Sequence, residues 1–254
     1  MKLEYNRHAR TRLFQNDFLE AASNIHPVTP FVLYIPLIVV LMAWGLSRGL
    51  TTWTLSLICF PAGWLAWDLT EYALHRWFFH WEGNGPFTRK IHDIIHGYHH
   101  LYPDDPLRLV MPLGASIPLA LVIGGLLYLV GVPSLTIPAF AGFVAGYLFY
   151  DFTHWSTHAR SPKTAWGKAI RSHHMAHHFA VPDKNFGISH RWIDAVVGTL
   201  RRRDQRWRFE FHERILAVTL PGDNIPQFRR SDSLSFQPAR DQPRNAAGRS
   251  RCIA

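Results

Sequence analysis

The chain has 254 residues, 48% of them hydrophobic and 18% charged, and its 27 Lys and Arg against 18 Asp and Glu give a formal net charge of +9. Two cysteines, Cys59 and Cys252, are too few and too far apart for a disulfide framework, a Cys-based zinc module or an iron–sulfur cluster. Any redox chemistry therefore needs a different centre.

Residues 1–27 form a polar leading segment that reads as neither a signal peptide nor a myristoylation site. Four uncharged runs follow, at about 28–46, 50–67, 109–130 and 134–150. About 20 helical residues match a hydrocarbon layer of roughly 30 Å, so each run predicts a transmembrane helix, and the short links pair them into two hairpins. Pro36, Pro61, Pro112, Pro118 and Pro138 fall in these runs. Membrane helices tolerate such breaks where neighbours satisfy the freed carbonyls. Of the 27 Lys and Arg, only Arg48 falls in a hairpin link, so the positive-inside rule puts both termini and the 68–108 connection in the cytoplasm. Anionic headgroups on that leaflet account for the basic balance without a nucleic-acid partner. The stretch RRRDQRWRF at 201–209 is a basic, aromatic strip suited to a membrane surface, and from Pro221 the composition is that of a poorly ordered tail. The expected organisation is an N-terminal segment over 1–27, a membrane domain over 28–200 and a basic tail over 201–254. Deleting residues 225–254 is expected to leave activity unchanged, which an assay of the truncated protein checks.

Twelve of the sixteen His lie between residues 75 and 178, in the connection after the second run and the segment after the fourth. His96, His99 and His100 (HGYHH) and His174, His177 and His178 (HMAHH) are spaced i, i+3, i+4, and His154 and His158 (HWSTH) are spaced i, i+4. On a helix such spacings put imidazoles on one face. Neutral imidazoles converging from several helices make a site for iron, zinc, copper or nickel. His75 and His80 (HRWFFH) are five apart and would diverge on a regular helix, so either the helix ends near Trp77 or the two serve different metals. Ten ligands exceed the needs of one ion, which suggests two. His92, one turn before His96, and His173, out of step with its box, are further candidates. Glu71, Asp93 and Asp151 precede His75, His96 and His154 by three or four residues, and each could accept the free ring N–H of the histidine that follows it. Beyond metal ligands the sequence singles out no catalytic residue. The expected architecture is all-α, with four transmembrane helices carrying a cytoplasmic helical cap that holds a His-rich dimetal site.

The series HRWFFH, HGYHHLYPDDPLRLVMP, GYLFYDFTHWSTHARSP and RSHHMAHHFAVPDKNFGIS, with RWIDAVVGT after it, resembles the fatty acid hydroxylase superfamily, the membrane His-box enzymes that include sterol desaturases. The run from His96 to Pro112 and the pairing of Tyr150-Asp151 with His154 are most similar to the fatty acid 2-hydroxylases. By that likeness His75, His80, His96, His99, His100, His154, His158, His174, His177 and His178 match the family's metal-binding positions. Ala159 stands where some members have another His, and the haem domain that many eukaryotic 2-hydroxylases carry is missing from these residues. The resemblance implies a diiron monooxygenase with two Fe ions, which zinc can replace on purification, and O2 as cosubstrate. It implies a fatty acyl substrate hydroxylated near its carboxyl end. Electrons would come from an external donor, a cytochrome b5-like carrier or a ferredoxin with its reductase, and the setting would be a bacterial inner membrane or an endoplasmic reticulum. Trp64, Trp67, Phe78, Phe79, Phe149 and Phe152 flank the boxes, either lining a lipid slot or forming an interfacial aromatic belt. A sterol or carotenoid substrate is the alternative within the enzyme class. A metal transporter fits poorly, because the four apolar runs carry no ionisable path.

Overall fold

The computed structural model describes residues 12–201, and all the regular structure among them is helical. Residues 1–11, the 202–209 part of the basic strip, the Pro- and Arg-rich tail and Cys252 lie outside the described residues. The helices are α1 (Asp17–Ser23), α2 (Thr29–Ser47), α3 (Trp53–Ala73), α4 (Pro86–His92), α5 (Tyr98–Leu101), α6 (Leu113–Val130), α7 (Pro133–Ala159), α8 (Ala165–Phe179) and α9 (Trp192–Val197). Local chemistry sets their ends. Thr52 caps α3 by accepting from the Leu55 amide, Pro30 and Pro133 start α2 and α7, and Gly131 ends α6 with φ of 73°.

Three helices are long and apolar enough to cross a membrane: α2, α6 and α7. The expected run at 50–67 is helical from Trp53 onward in α3, but that helix extends to Ala73 through Asp68 and Glu71 and does not join the three by composition. α7 is the other difference. It continues nine residues past the expected end of its run, so that its final turns carry His154 and His158. Those two histidines therefore sit on a span-forming helix rather than after it.

α2 and α6 present apolar side chains outward, among them Val32, Val39, Val40, Leu121 and Leu129, as helices facing lipid do. α7 lies inside, and its approach to α3 is close enough to need glycine. A Cβ on Gly142 would meet the Phe60 carbonyl oxygen at 1.9 Å, and one on Gly63 would meet the Ala139 carbonyl oxygen at 1.9 Å. Small residues at such crossings let helix backbones touch where hydrophobic driving force is weak. Trp67, 1% exposed, fills the next layer with its ring 5.2 Å from those of Phe143 and Tyr147 and 5.6 Å from that of Tyr150. Trp67 is thus a core residue and no part of an interfacial belt, whereas Phe78 and Phe152 are exposed. Tyr34 of α2 packs edge-on to Tyr147 and donates to Ser116 of α6 at 3.0 Å, tying the remaining helices to this pair. The α3–α7 contact thereby fixes the two helix ends from which His75 and His154 project.

Arg108 anchors α1 beneath the His-bearing helix α5. Its guanidinium pairs with Glu20, with Asp105 at 2.9 Å and with the Tyr98 hydroxyl at 2.7 Å, and lies 4.5 Å from the Tyr98 ring centre. Burial opposes the Glu20 charge, but the Phe14 and Leu13 amides and Arg108 outweigh it and hold the carboxyl below its ordinary range. A depressed carboxylate contributes stability that is complete above its unfolded value and lost as pH falls through the folded one. Arg108→Met leaves Glu20 and Asp105 without their cation but with their main-chain amide donors, and is expected to cost about 1.5–3 kcal/mol, the range for hydrogen bonds to charged groups. Denaturation of the detergent-solubilised protein checks this.

Candidate metal centre

Two groups of five histidines converge on the side of the bundle where α3 and α7 end. His75, His80, His96, His100 and His177 form one, and His99, His154, His158, His174 and His178 form the other. Within each group, one ring nitrogen per residue lies within 4.8 Å of all the others. The eight histidines marked by helical spacing are therefore brought together, and His75 and His80 join them. The division cuts across the boxes. His96 and His100 face one group while His99 faces the other, and His174 and His178 part from His177 in the same way. Helices α5 and α8 each supply both groups.

His75 and His80 join the same group by a local device that neither sequence-based alternative included. α3 passes directly into a π-helical turn, Leu74–Phe79, closed by the His80 amide on the His75 carbonyl at 3.3 Å. The wider π turn brings residues five apart onto one side, so the spacing that separates them on an α-helix aligns them here. The ring centres are 5.1 Å apart. A second π turn, Asp93–Gly97, lies between α4 and α5 and contains His96.

Neighbouring ring nitrogens are closely spaced. The Nε2–Nε2 distances are 3.1 Å for His75–His96, 2.9 Å for His96–His100 and 3.0 Å for His80–His177. In the other group they are 2.9 Å for His99–His154, 3.1 Å for His99–His178, 3.0 Å for His174–His178 and 2.8 Å for His158–His174. With metal–nitrogen bonds of about 2.1 Å, ligands at right angles around one ion have nitrogens about 3 Å apart, so the spacing fits a coordination shell. Protonation state agrees. Burial and the neighbouring imidazoles push His75 down to about 3, and burial takes His177 down to about 4 despite the Lys184 carbonyl. His80, His96, His99, His100, His174 and His178 are also held below the ordinary imidazole value by burial, reinforced by the rings around them. Neutral rings are the ligating form.

The outer contacts differ from those the sequence suggested. Glu71 accepts from the Ile188 amide at 2.6 Å, from the Ser189 amide at 2.8 Å and from the Ser189 hydroxyl. Asp93 pairs with His92 at 3.3 Å, and Asp151 accepts from the Met111 amide at 3.0 Å. The expected bonds to His75, His96 and His154 are corrected accordingly: helical spacing brings each carboxylate near, but main-chain amides and a neighbouring ring claim it. The Nδ1 of His75 donates instead to the Phe186 carbonyl, and that of His177 to the Lys184 carbonyl at 2.7 Å. A carbonyl can only accept, so both rings carry hydrogen on Nδ1 and turn the Nε2 lone pair inward. His92 and His173 stand outside both groups, and His173 donates through Nε2 to Asp194 at 3.0 Å. Sequence reasoning missed Asp194, Asn185 and Ser189, whose contacts here span up to 118 positions along the chain.

The profile of the fatty acid hydroxylase family matches residues 60–199, more than half of the chain and all ten converging histidines. The chain belongs to the fatty acid hydroxylase family. This places it among oxidoreductases, as the sequence motifs implied. Among curated fatty acid hydroxylases, it is 34% identical over 189 residues to the dihydroceramide fatty acyl 2-hydroxylase FAH2 of Arabidopsis thaliana, covering 74% of this chain and 79% of that one. It is 33% identical over 215 residues to the fatty acid 2-hydroxylase of Homo sapiens, covering 74% of this chain and 56% of that one. A solved structure of full-length scs7p, in which only the hydroxylase domain is visible, superposes with a TM-score of 0.70 at 28% identity over 76% of this chain and 73% of that one. The hydroxylase fold seen there and the helical arrangement here are thus alike.

Proposed function

We propose that the protein is an O2-dependent lipid monooxygenase that hydroxylates fatty acyl chains at C2, using two iron ions held by the two groups of five histidines. The observation that carries the reading is the convergence of ten imidazoles into two shells of ligand spacing at the end of a membrane-type bundle. The relatives named as fatty acyl 2-hydroxylases support the position of hydroxylation. When bound, the irons would supply the O2-activating redox chemistry that an unactivated C–H bond demands, which no side chain in this site offers. The balance is simple. One oxygen atom enters the acyl C–H bond as a hydroxyl and the other leaves as water; two electrons come one at a time from an external carrier such as a cytochrome b5-like protein or a ferredoxin with its reductase, and two protons come from the solvent.

The protein's own contribution is to hold and shield. His75, His80, His96, His100 and His177 on one side, and His99, His154, His158, His174 and His178 on the other, are the proposed ligands. Nine of the ten are buried and His80 is half-buried, so bulk water is kept from the centre. Phe79 stacks on His96 with ring centres 5.5 Å apart and helps close that side. The membrane setting fits an acyl substrate, since a tail in the bilayer can present its polar end at the helix ends. Four spans in two hairpins, with both termini and a helical cap containing the site on the cytoplasmic side, is the topology we favour; the 28–200 region would be the hydroxylase domain.

Expression of the chain with a competent reductase in a host lacking such an enzyme tests the reading. Mass spectrometry of hydrolysed total lipids is expected to show 2-hydroxy acids with the wild type and none with His99→Ala. Their absence, with the wild type verified in the membrane, overturns it.

A further inference from the structure

The segment from Lys184 to Ser189 lies between α8 and α9 and has little regular structure, yet every main-chain amide on it is engaged. Its two outward carbonyls, Lys184 and Phe186, receive the Nδ1 hydrogens of His177 and His75. Four of these amides are held by two buried carboxylates. Asp194 accepts from the Phe186 amide at 2.9 Å, the Gly187 amide at 2.8 Å, the Thr199 hydroxyl at 2.7 Å and His173 at 3.0 Å. Glu71 accepts from the amides of Ile188 and Ser189 and from the Ser189 hydroxyl. Asn185, in the left-handed region at φ 60°, seals the turn by donating to the His173 carbonyl at 3.1 Å and accepting from the Arg201 amide at 2.8 Å. Gly187 is needed there, because a Cβ would meet the His190 carbonyl oxygen at 2.3 Å.

Both histidines fixed by this segment belong to the same group of five. In the other group, the Leu109 carbonyl lies against His154, and none of its rings is held by the Lys184–Ser189 segment. The two shells thus draw their outer contacts from different parts of the chain. The geometry points to Glu71 and Asp194 as positioning residues for one metal of the pair: by clamping the amides of Phe186 to Ser189 they fix the two carbonyls that set the ring orientation and tautomer of His75 and His177. This rests on the metal-binding reading above. It assigns a role to carboxylates that touch no candidate ligand.

The chemistry of the two carboxylates differs in a way that a conservative variant exposes. Gln at 71 keeps one oxygen for the two amides, while its NH2 can donate to a rotated Ser189 hydroxyl. Asn at 194 cannot serve, since donors face both oxygens of Asp194. Metal content per chain is measured on purified, detergent-solubilised protein, together with release to a chelator. Wild type and Glu71→Gln are expected to hold two equivalents. Glu71→Ala and Asp194→Asn are expected to hold one tightly and bind the other about 10–100-fold more weakly, the usual effect of losing an outer partner. Two equivalents at wild-type affinity in both damaging variants, or loss of both equivalents together from inserted protein, overturns the clamp. A wild type that binds no metal overturns the reading of the site itself. If the damaging variants do not insert, Ser189→Ala, which removes one of three donors to Glu71, carries the test: one equivalent is expected to leave severalfold faster, and an unchanged rate overturns the clamp.

Discussion

Replacing His99 or His177 by alanine is expected to remove all detectable hydroxylated lipid while leaving the protein inserted and monodisperse. The two positions probe opposite groups. His99 Nε2 stands 2.9 Å from that of His154 and 3.1 Å from that of His178, and His177 Nε2 stands 3.0 Å from that of His80. Loss of one nitrogen opens a shell that has little else to fill it, because the carboxylates nearby are already committed to main-chain amides. The effect should therefore exceed the roughly 10–100-fold that losing an outer-shell partner costs. His92→Ala is the informative contrast. His92 lies within a helical turn of His96 in sequence, yet it belongs to neither group and pairs with Asp93, so most of the activity should remain. Equal losses at His92 and His99 would dissolve the distinction between the grouped histidines and the rest. Activity measured as hydroxy acid per unit of inserted protein decides it.

Gly142→Leu is expected to prevent folding, the second large effect. A side chain there would begin 1.9 Å from the Phe60 carbonyl oxygen, and main chain cannot rotate aside as a flexible side chain can. Ordinary overpacking costs roughly 1–3 kcal/mol; forcing two helix backbones apart should cost more. The same displacement would carry the ends of α3 and α7 away from each other, and with them His75 and His154. Gly125→Leu on α6 is the control, since a Cβ at that position has nothing within 4 Å. Size-exclusion profiles and melting of the two variants in detergent should separate them clearly, with Gly125→Leu close to wild type.

Much of this arrangement was legible in the sequence, for identifiable reasons. The uncharged runs translate into helices because length and hydropathy alone decide that a segment is buried or lies in lipid. α3 shows the limit: its last turns carry Asp68 and Glu71, which interact with a segment far along the chain, and no local pattern reveals that. The helical spacing of three boxes marked eight of the ten histidines that converge. It gave no sign that HGYHH and HMAHH would each divide between two groups, because helical periodicity fixes a face and the division depends on what lies opposite. The outer contacts were misjudged for the same reason. Residues three or four apart are the visible neighbours of a histidine, while the carbonyls of Phe186 and Lys184 come from a turn whose position depends on Asp194 and Glu71.

The π turn at Leu74–Phe79 makes the centre sensitive to counting as well as to chemistry. A turn that closes five residues back holds one residue more than an α turn, so the rods on either side of it are out of phase by about 100° relative to an uninterrupted helix. A substitution other than proline at Arg76, Trp77, Phe78 or Phe79 preserves the residue count and so that phase. Removing any one of them restores the ordinary winding and swings His80 around the axis, off the side it shares with His75. The spacing of this box behaves like a reading frame: tolerant of exchanges within it, and broken by a single omission.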